Sequence, residues 1–173
     1  VCDHFGWSDE TVVVNVQGDE PFLPPPLIDQ AAHQLVDSGA DMATLAHAIH
    51  DPAELFNPNI CKVVLKANAD ALYFSRAPIP FARDDFAADW QQGRFPGAMP
   101  GNGYACYRHI GLYAYRRRFL RDYAGLSPSP LESIEALEQL RALWHGYRIN
   151  VALTETLPPA GVDTAEDAAR AQA

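Results

Sequence analysis

The residues with the most chemical potential stand at the ends of segments. Thr11-Val12-Val13-Val14-Asn15-Val16 runs into Gln17-Gly18-Asp19-Glu20-Pro21. The valine-rich run predicts a strand covered on both faces, as in the parallel sheets of α/β proteins. Gly18 and Pro21 stop it, leaving two carboxylates at its carboxyl end, where open α/β sheets place ligands. Asp19 and Glu20 either help to hold a cation or simply solvate the turn. A second acid, Asp163, precedes a helix start at Thr164 and would serve equally as a cap. Two carboxylates from separate strand ends suit Mg²⁺, which takes one or two carboxylates together with substrate phosphate oxygens. Arg76 and Arg83 flank the stiff Ala77-Pro78-Ile79-Pro80-Phe81 segment, and a guanidinium captures carboxylate or phosphate bidentately. His109 and Tyr113 stand four apart on one face of a strand pattern. Glu138 and Gln139 fall within a helical pattern, where Glu138 would ordinarily face solvent.

The elements that must position these residues are legible in the pattern. Pro24-Pro25-Pro26 leads into a helix carrying Leu27, Ala31 and Leu35, with Gly39 as its stop. Met42 to Ile49 reads as a strand and Asp51-Pro52-Ala53-Glu54 as a capped helical turn. Cys61 to Lys66 and Ala71 to Arg76 read as a hairpin. Residues 84–103 read as a long Gly- and Pro-rich loop. Tyr107 to Arg116 is a strand. Ser129-Pro130-Leu131-Glu132 opens one helix running to a stop at Gly146. Arg148 to Leu153 is the last strand, and a short helix follows Thr164. Alternating strands and helices with one intruding hairpin predict an α/β fold: a mixed, mostly parallel sheet with helices on both faces.

The 173 residues suffice for one domain, and the formal net charge of −9 argues against nucleic acid or an anionic membrane as partner. The only basic cluster, Arg116-Arg117-Arg118 with Arg121, reads as a solvated helix start. The three cysteines form no Cys-x-x-Cys pair, which fits a reducing compartment, and no stretch approaches the length of a membrane span.

Seven stretches in order resemble the 3-deoxy-manno-octulosonate cytidylyltransferases, or CMP-KDO synthetases. They are Val14 to Pro21, Phe56 to Asn59 with Lys62-Val63-Val64, Ala71 to Ala77, His109 to Arg116, Ser129 to Glu132, Leu137 to Arg141, and Gly161 to Thr164. The resemblance implies a nucleotide-diphospho-sugar transferase-like sheet over residues 1–173, and a reaction joining a sugar acid to CMP from CTP with Mg²⁺ and release of pyrophosphate. It assigns Asp19 and Asp163 to the magnesium, and Gln17, Arg76, Arg83, His109, Tyr113, Glu138 and Gln139 to the sugar-acid pocket. It also implies a cytoplasmic homodimer whose product feeds lipopolysaccharide assembly. Two departures accompany it: the family's amino-terminal segment, with its first strand and its Gly-, Arg- and Lys-bearing triphosphate loop, is absent, so CTP binding by the chain as given is expected to be incomplete, and the 84–103 loop is longer. The competing readings are a cytidylyltransferase for another sugar acid such as a sialic acid, a non-catalytic sugar- or metal-binding module, and, more distantly, a metal-dependent phosphohydrolase.

Overall fold

A computed structural model describes residues 2, 4–18, 20–101, 103–159, 162 and 169. Chain order runs β1 (Val12–Asn15), α1 (Pro25–Ser38), β2 (Met42–Ala48), α2 (Pro52–Phe56), β3 (Lys62–Leu65), β4 (Ala71–Ser75), α3 (Arg83–Gln91), β5 (Tyr107–Arg116), α4 (Arg117–Tyr123), α5 (Pro130–Glu135), α6 (Gln139–Trp144) and β6 (Ile149–Leu153). The expected helix after Thr164 lies outside the described residues.

The strands form one mixed sheet in the order β4-β3-β5-β2-β6, with β1 also paired to β5. Helices lie on both faces. On one, Leu27, Ala31 and Leu35 of α1 meet Ala43 and Leu45 of β2 and Ile110, Leu112 and Ala114 of β5, with Val12 and Val14 packed against them. On the other, Met42 and Ala46 meet Val63, Phe74, Tyr113, Phe119 of α4 and Leu140 of α6. Strand β2 is therefore buried on both sides, as its near-continuous apolar run demands.

Pairing departs from the mostly parallel arrangement expected. Among the described pairings only β2 with β6 is parallel; β1, β2 and β3 all pair antiparallel to β5, and β3 pairs antiparallel to β4. The reason is β5, a ten-residue strand running against its neighbours and inserted between them. Nor is β1 sealed on both faces: its valines are half-buried and its only described partner is β5.

Strand β5 also divides the sheet. Along one edge it pairs with β3 at Tyr107 and Arg108 and with β1 from Tyr113 onward. His109 N–H donates to the Cys61 carbonyl at 2.9 Å as the last contact before β3 departs. Along the other edge a bulge sets Thr44 opposite Tyr113 but Leu45 opposite Ile110, so Gly111 and Leu112 are extra residues in β5.

Two further expectations are corrected. Residues 84–103 are not all loop: α3 occupies the first half, with Asp84 and Asp85 in its first turn, and the Gly and Pro residues follow it. Phe86 is its one buried residue, so there was almost no periodicity to read. The helix expected from Ser129 to Gly146 is two helices, broken at Ala136, whose φ of 52° lies in the left-handed region. The capping box at Ser129 and Glu132 is present as read.

The four arginines at the end of β5 and just after it are occupied by the residues before β1. Arg116 and Arg118 pair with Glu10, and Arg117 and Arg121 with Asp9. Two acids thus hold four guanidinium groups, so the cluster's charge is offset in part by the chain itself. No helix among the described residues is long and apolar enough to cross a membrane.

Candidate active site

A cleft of about 680 Å³ opens where β3 and β1 part along β5. Gln17, Arg76, His109, Tyr113, Glu138 and Gln139 all line it. They come from four places in the fold: the residues after β1, the end of β4, β5, and the α5–α6 junction. The break at Ala136 is what brings the last pair in. Glu138 and Gln139 sit not mid-helix but at the start of α6, turned toward the cleft, and Gln139 is buried. Gly111 also borders the cleft, and the Gln17 side-chain amide lies 3.8 Å from where a Cβ at Gly111 would stand.

Arg83 is not in this group. It opens α3, pairs with its neighbour Asp84 at 2.8 Å, and both side chains are more than four-fifths exposed. The two arginines that flank the Pro78–Pro80 segment thus separate in role, because that segment carries Arg83 away from the β4 terminus and onto the surface. Asp19 and Asp163 lie outside the described residues. Gln17, two positions before Asp19, is at the cleft wall.

Arg76 is held by main chain. Its Nε donates to the Glu135 carbonyl at 2.8 Å, Nη1 to Pro58 O at 3.2 Å and Nη2 to Ala136 O at 3.3 Å. Among the described residues no carboxylate forms an ion pair with this guanidinium, so the positive charge is fixed in place without being neutralised. The Glu135 carboxylate is spent otherwise: it accepts from Ser75 Oγ at 2.7 Å and from the Arg76 N–H at 2.9 Å. Glu135 had no signal in the sequence; it is an ordinary helix-surface residue until β4 packs against α5.

Lys62 completes the frame. It is fully buried, and its Nζ donates to the carbonyls of Asn57 at 2.8 Å, Ile60 at 2.6 Å and Arg76 at 2.6 Å. Burial lowers its pKa to about 8. Three carbonyls need three protons, so the arrangement is satisfied only by the ammonium. Lys62 therefore ties the Asn57–Ile60 loop to the end of β4.

His109 is half-buried, with the Phe74 ring edge-on at 4.9 Å and the Tyr113 ring at 5.3 Å. Desolvation by these neighbours drops its pKa to about 3, so the imidazole is neutral at physiological pH. Burial likewise pushes the Tyr113 phenol well up, and the Cys61 thiol, also at the cleft, up to about 12. Neither is a nucleophile at neutral pH. The site is thus one anchored cation among neutral hydrogen-bonding groups and one acid, Glu138. Such a set has the charge and hydrogen-bonding groups that a small polyhydroxylated anion would need.

The family model described as cytidylyltransferase matches residues 1–149. The chain belongs to the cytidylyltransferase family. A solved CMP:2-keto-3-deoxy-manno-octonic acid synthetase complexed with CTP resembles it at 35% identity and a TM-score of 0.76 over 93% of the chain. The chain spans 62% of that protein's length. Arg108 and Glu132 also reach the cleft wall. Each is already engaged, Arg108 with Glu54 at 3.1 Å and Glu132 with Arg141 at 2.5 Å, so they shape the wall rather than offering free charge.

Proposed function

We propose that this cytidylyltransferase chain contributes the sugar-acid site for transfer of CMP from CTP to 3-deoxy-manno-octulosonate, with release of pyrophosphate. The observation that carries the reading is Arg76: a guanidinium pinned by three main-chain carbonyls, facing a polar cleft, with no carboxylate among the described residues in an ion pair with it. A sugar carboxylate supplies the missing counter-charge. The amides of Gln17 and Gln139, the neutral His109 and the Tyr113 hydroxyl surround it with donors and acceptors for sugar hydroxyls. Held in this way, the sugar presents its anomeric hydroxyl for in-line attack on the α-phosphate of CTP. Alignment of two bound reactants is worth several kcal/mol of barrier.

The resemblance assigns Mg²⁺ to Asp19 and Asp163. Hard carboxylate oxygens are the donors that ion takes. In the sequence Asp19 follows Gln17, a cleft-wall residue, by two positions, which supports the reading. Bound there, the ion would neutralise phosphate charge and lower the pKa of the attacking hydroxyl. A cytoplasmic homodimer whose product serves lipopolysaccharide assembly belongs to the same reading, and sedimentation of the purified protein checks the dimer.

Calorimetric titration of the protein with 3-deoxy-manno-octulosonate and with a sialic acid tests the site directly. Saturable binding of the former and weaker binding of the latter is the expected result. No binding of either acid overturns the reading, and preference for the sialic acid reassigns the substrate within the family. Pyrophosphate release from CTP should require both the octulosonate and Mg²⁺.

A further inference from the structure

Thr44 is buried in the middle of β2, at the bulge that splits the sheet. Its hydroxyl oxygen lies 2.7 Å from the Leu112 carbonyl, 3.0 Å from the Ile110 carbonyl and 2.9 Å from His109 Nε2. A hydroxyl has one proton to give and two lone pairs. Both carbonyls can only accept, so the proton is committed to them, shared or to the nearer. The third neighbour must then be the donor: Nε2 of His109 carries a hydrogen and gives it to Thr44. In a neutral imidazole that leaves Nδ1 as a bare acceptor.

We propose that Thr44 is a positioning residue that holds His109 in the Nε2–H tautomer, so that Nδ1 meets the bound ligand as a hydrogen-bond acceptor. Nδ1 has no protein partner among the described residues, and it is not one of the sealed-off polar atoms. It therefore meets the cleft that His109 lines. The ring cannot swing to offer Nε2 instead, because Phe74 and Tyr113 bracket it. The strong depression of its basicity by desolvation keeps the ring uncharged, so that the tautomer, not a protonation equilibrium, decides what it offers. One threonine thus does two jobs. It gives its one proton to the Leu112 and Ile110 carbonyls at the bulge, and it selects for a ligand that donates a hydroxyl at this point over one that presents only an acceptor or a methylene. An acceptor facing a ligand that lacks the hydroxyl loses its partner, which is the mismatch that gives polar sites their discrimination.

The ligand half of this inference rests on the sugar-acid reading; the tautomer half does not. Long-range ¹H–¹⁵N spectra of the histidine-labelled, unliganded protein decide the latter, with His109→Gln identifying the signal. The expected spectrum has a protonated-type shift at Nε2 and a lone-pair-type shift at Nδ1. A protonated Nδ1, an averaged pair or a cationic ring at neutral pH overturns the proposal without need of a Thr44 variant. Thr44→Val, which keeps shape and removes the hydroxyl, should turn the spectrum into a tautomer mixture and weaken octulosonate binding roughly tenfold. Thr44→Ser should restore both. A Thr44→Val spectrum and affinity equal to wild type overturn the proposal. If the tautomer is as stated but the wild-type protein binds no sugar acid, the function reading falls and Thr44's role stands.

Discussion

The buried ammonium of Lys62 donates to the main-chain carbonyl of Arg76 at 2.6 Å, and Arg76 spends its own guanidinium on carbonyls of the α5–α6 break. A cation that never reaches the cleft thus aims the one that does. Each partner is satisfied by backbone, so the geometry of the proposed anion site is set by the path of the chain rather than by a neighbouring acid. This is preorganisation in the ordinary sense: donors arranged before the ligand arrives.

Replacing Arg76 should remove the anion's counter-charge while leaving the fold. Arg76→Met is expected to weaken octulosonate binding about 100-fold, ~2.7 kcal/mol, with Arg76→Lys recovering only part, because a lysine lacks the planar fork. Titration calorimetry measures both. Wild-type affinity in Arg76→Met would remove the carboxylate anchor from the site.

Arg83→Ala, by contrast, should bind the sugar acid as wild type does. Its side chain is exposed and, among the described residues, paired only with Asp84. A tenfold loss in the same titration would mean that α3 rearranges on binding.

Lys62→Met leaves three buried carbonyls without their donor. A cost of roughly 2–4 kcal/mol in urea unfolding is expected, together with weaker sugar-acid binding, because the end of β4 is released. Retained stability would show that the carbonyls find other donors.

Acid should destabilise the protein through two groups. Asp70 is buried, which alone would raise its carboxyl pKa, but hydrogen bonds from Arg148, Asn150 and Asn68 outweigh this and bring it down to about 2. A carboxyl lowered in the folded state contributes stability above its ordinary value, and that contribution fades as pH falls from about 4 toward 2. It is worth about 1–2 kcal/mol after allowing for the half-exposed Arg148. His109, lowered to about 3 by desolvation, acts in the same direction between about 6.5 and 3, since the unfolded chain takes up a proton there that the folded chain refuses. Unfolding free energy should therefore fall steadily on acidification below pH ~6.5, and Asp70→Asn should flatten the part below about 4. The His109 ring signal should stay constant from neutrality down to pH ~5, whereas an ordinary histidine would titrate.

Ala136 adopts a left-handed backbone at φ 52°, which glycine tolerates and alanine does not. Ala136→Gly is expected to raise stability by about 0.5 kcal/mol, the relief of strain being partly offset by a more flexible unfolded chain. Ala136→Val should lower stability and sugar-acid affinity together, because the Ala136 carbonyl is one of the acceptors that hold Arg76. Thermal melts of the two variants give the order directly.

Local chemistry was legible in residue order alone. The Ser129 capping box, the Gly39 stop of α1, the hairpin of β3 and β4 and the paired ring face of His109 and Tyr113 all depend on neighbours within a few positions, where spacing dictates geometry. The same is true of the motifs that mark the family. What spacing does not carry is which strand lies beside which, in which direction. The antiparallel insertion of β5, the parting of β3 and β1 that opens the cleft, and the role of Glu135 were settled only by packing. So were the burial of Lys62 and the exclusion of Arg83. Both are cations flanking apolar or proline-containing segments, with nothing local to tell them apart. One meets three carbonyls brought from distant parts of the chain and is enclosed; the other meets water. Desolvation and partner choice are properties of the assembled volume, and that is why only the tertiary structure could assign them.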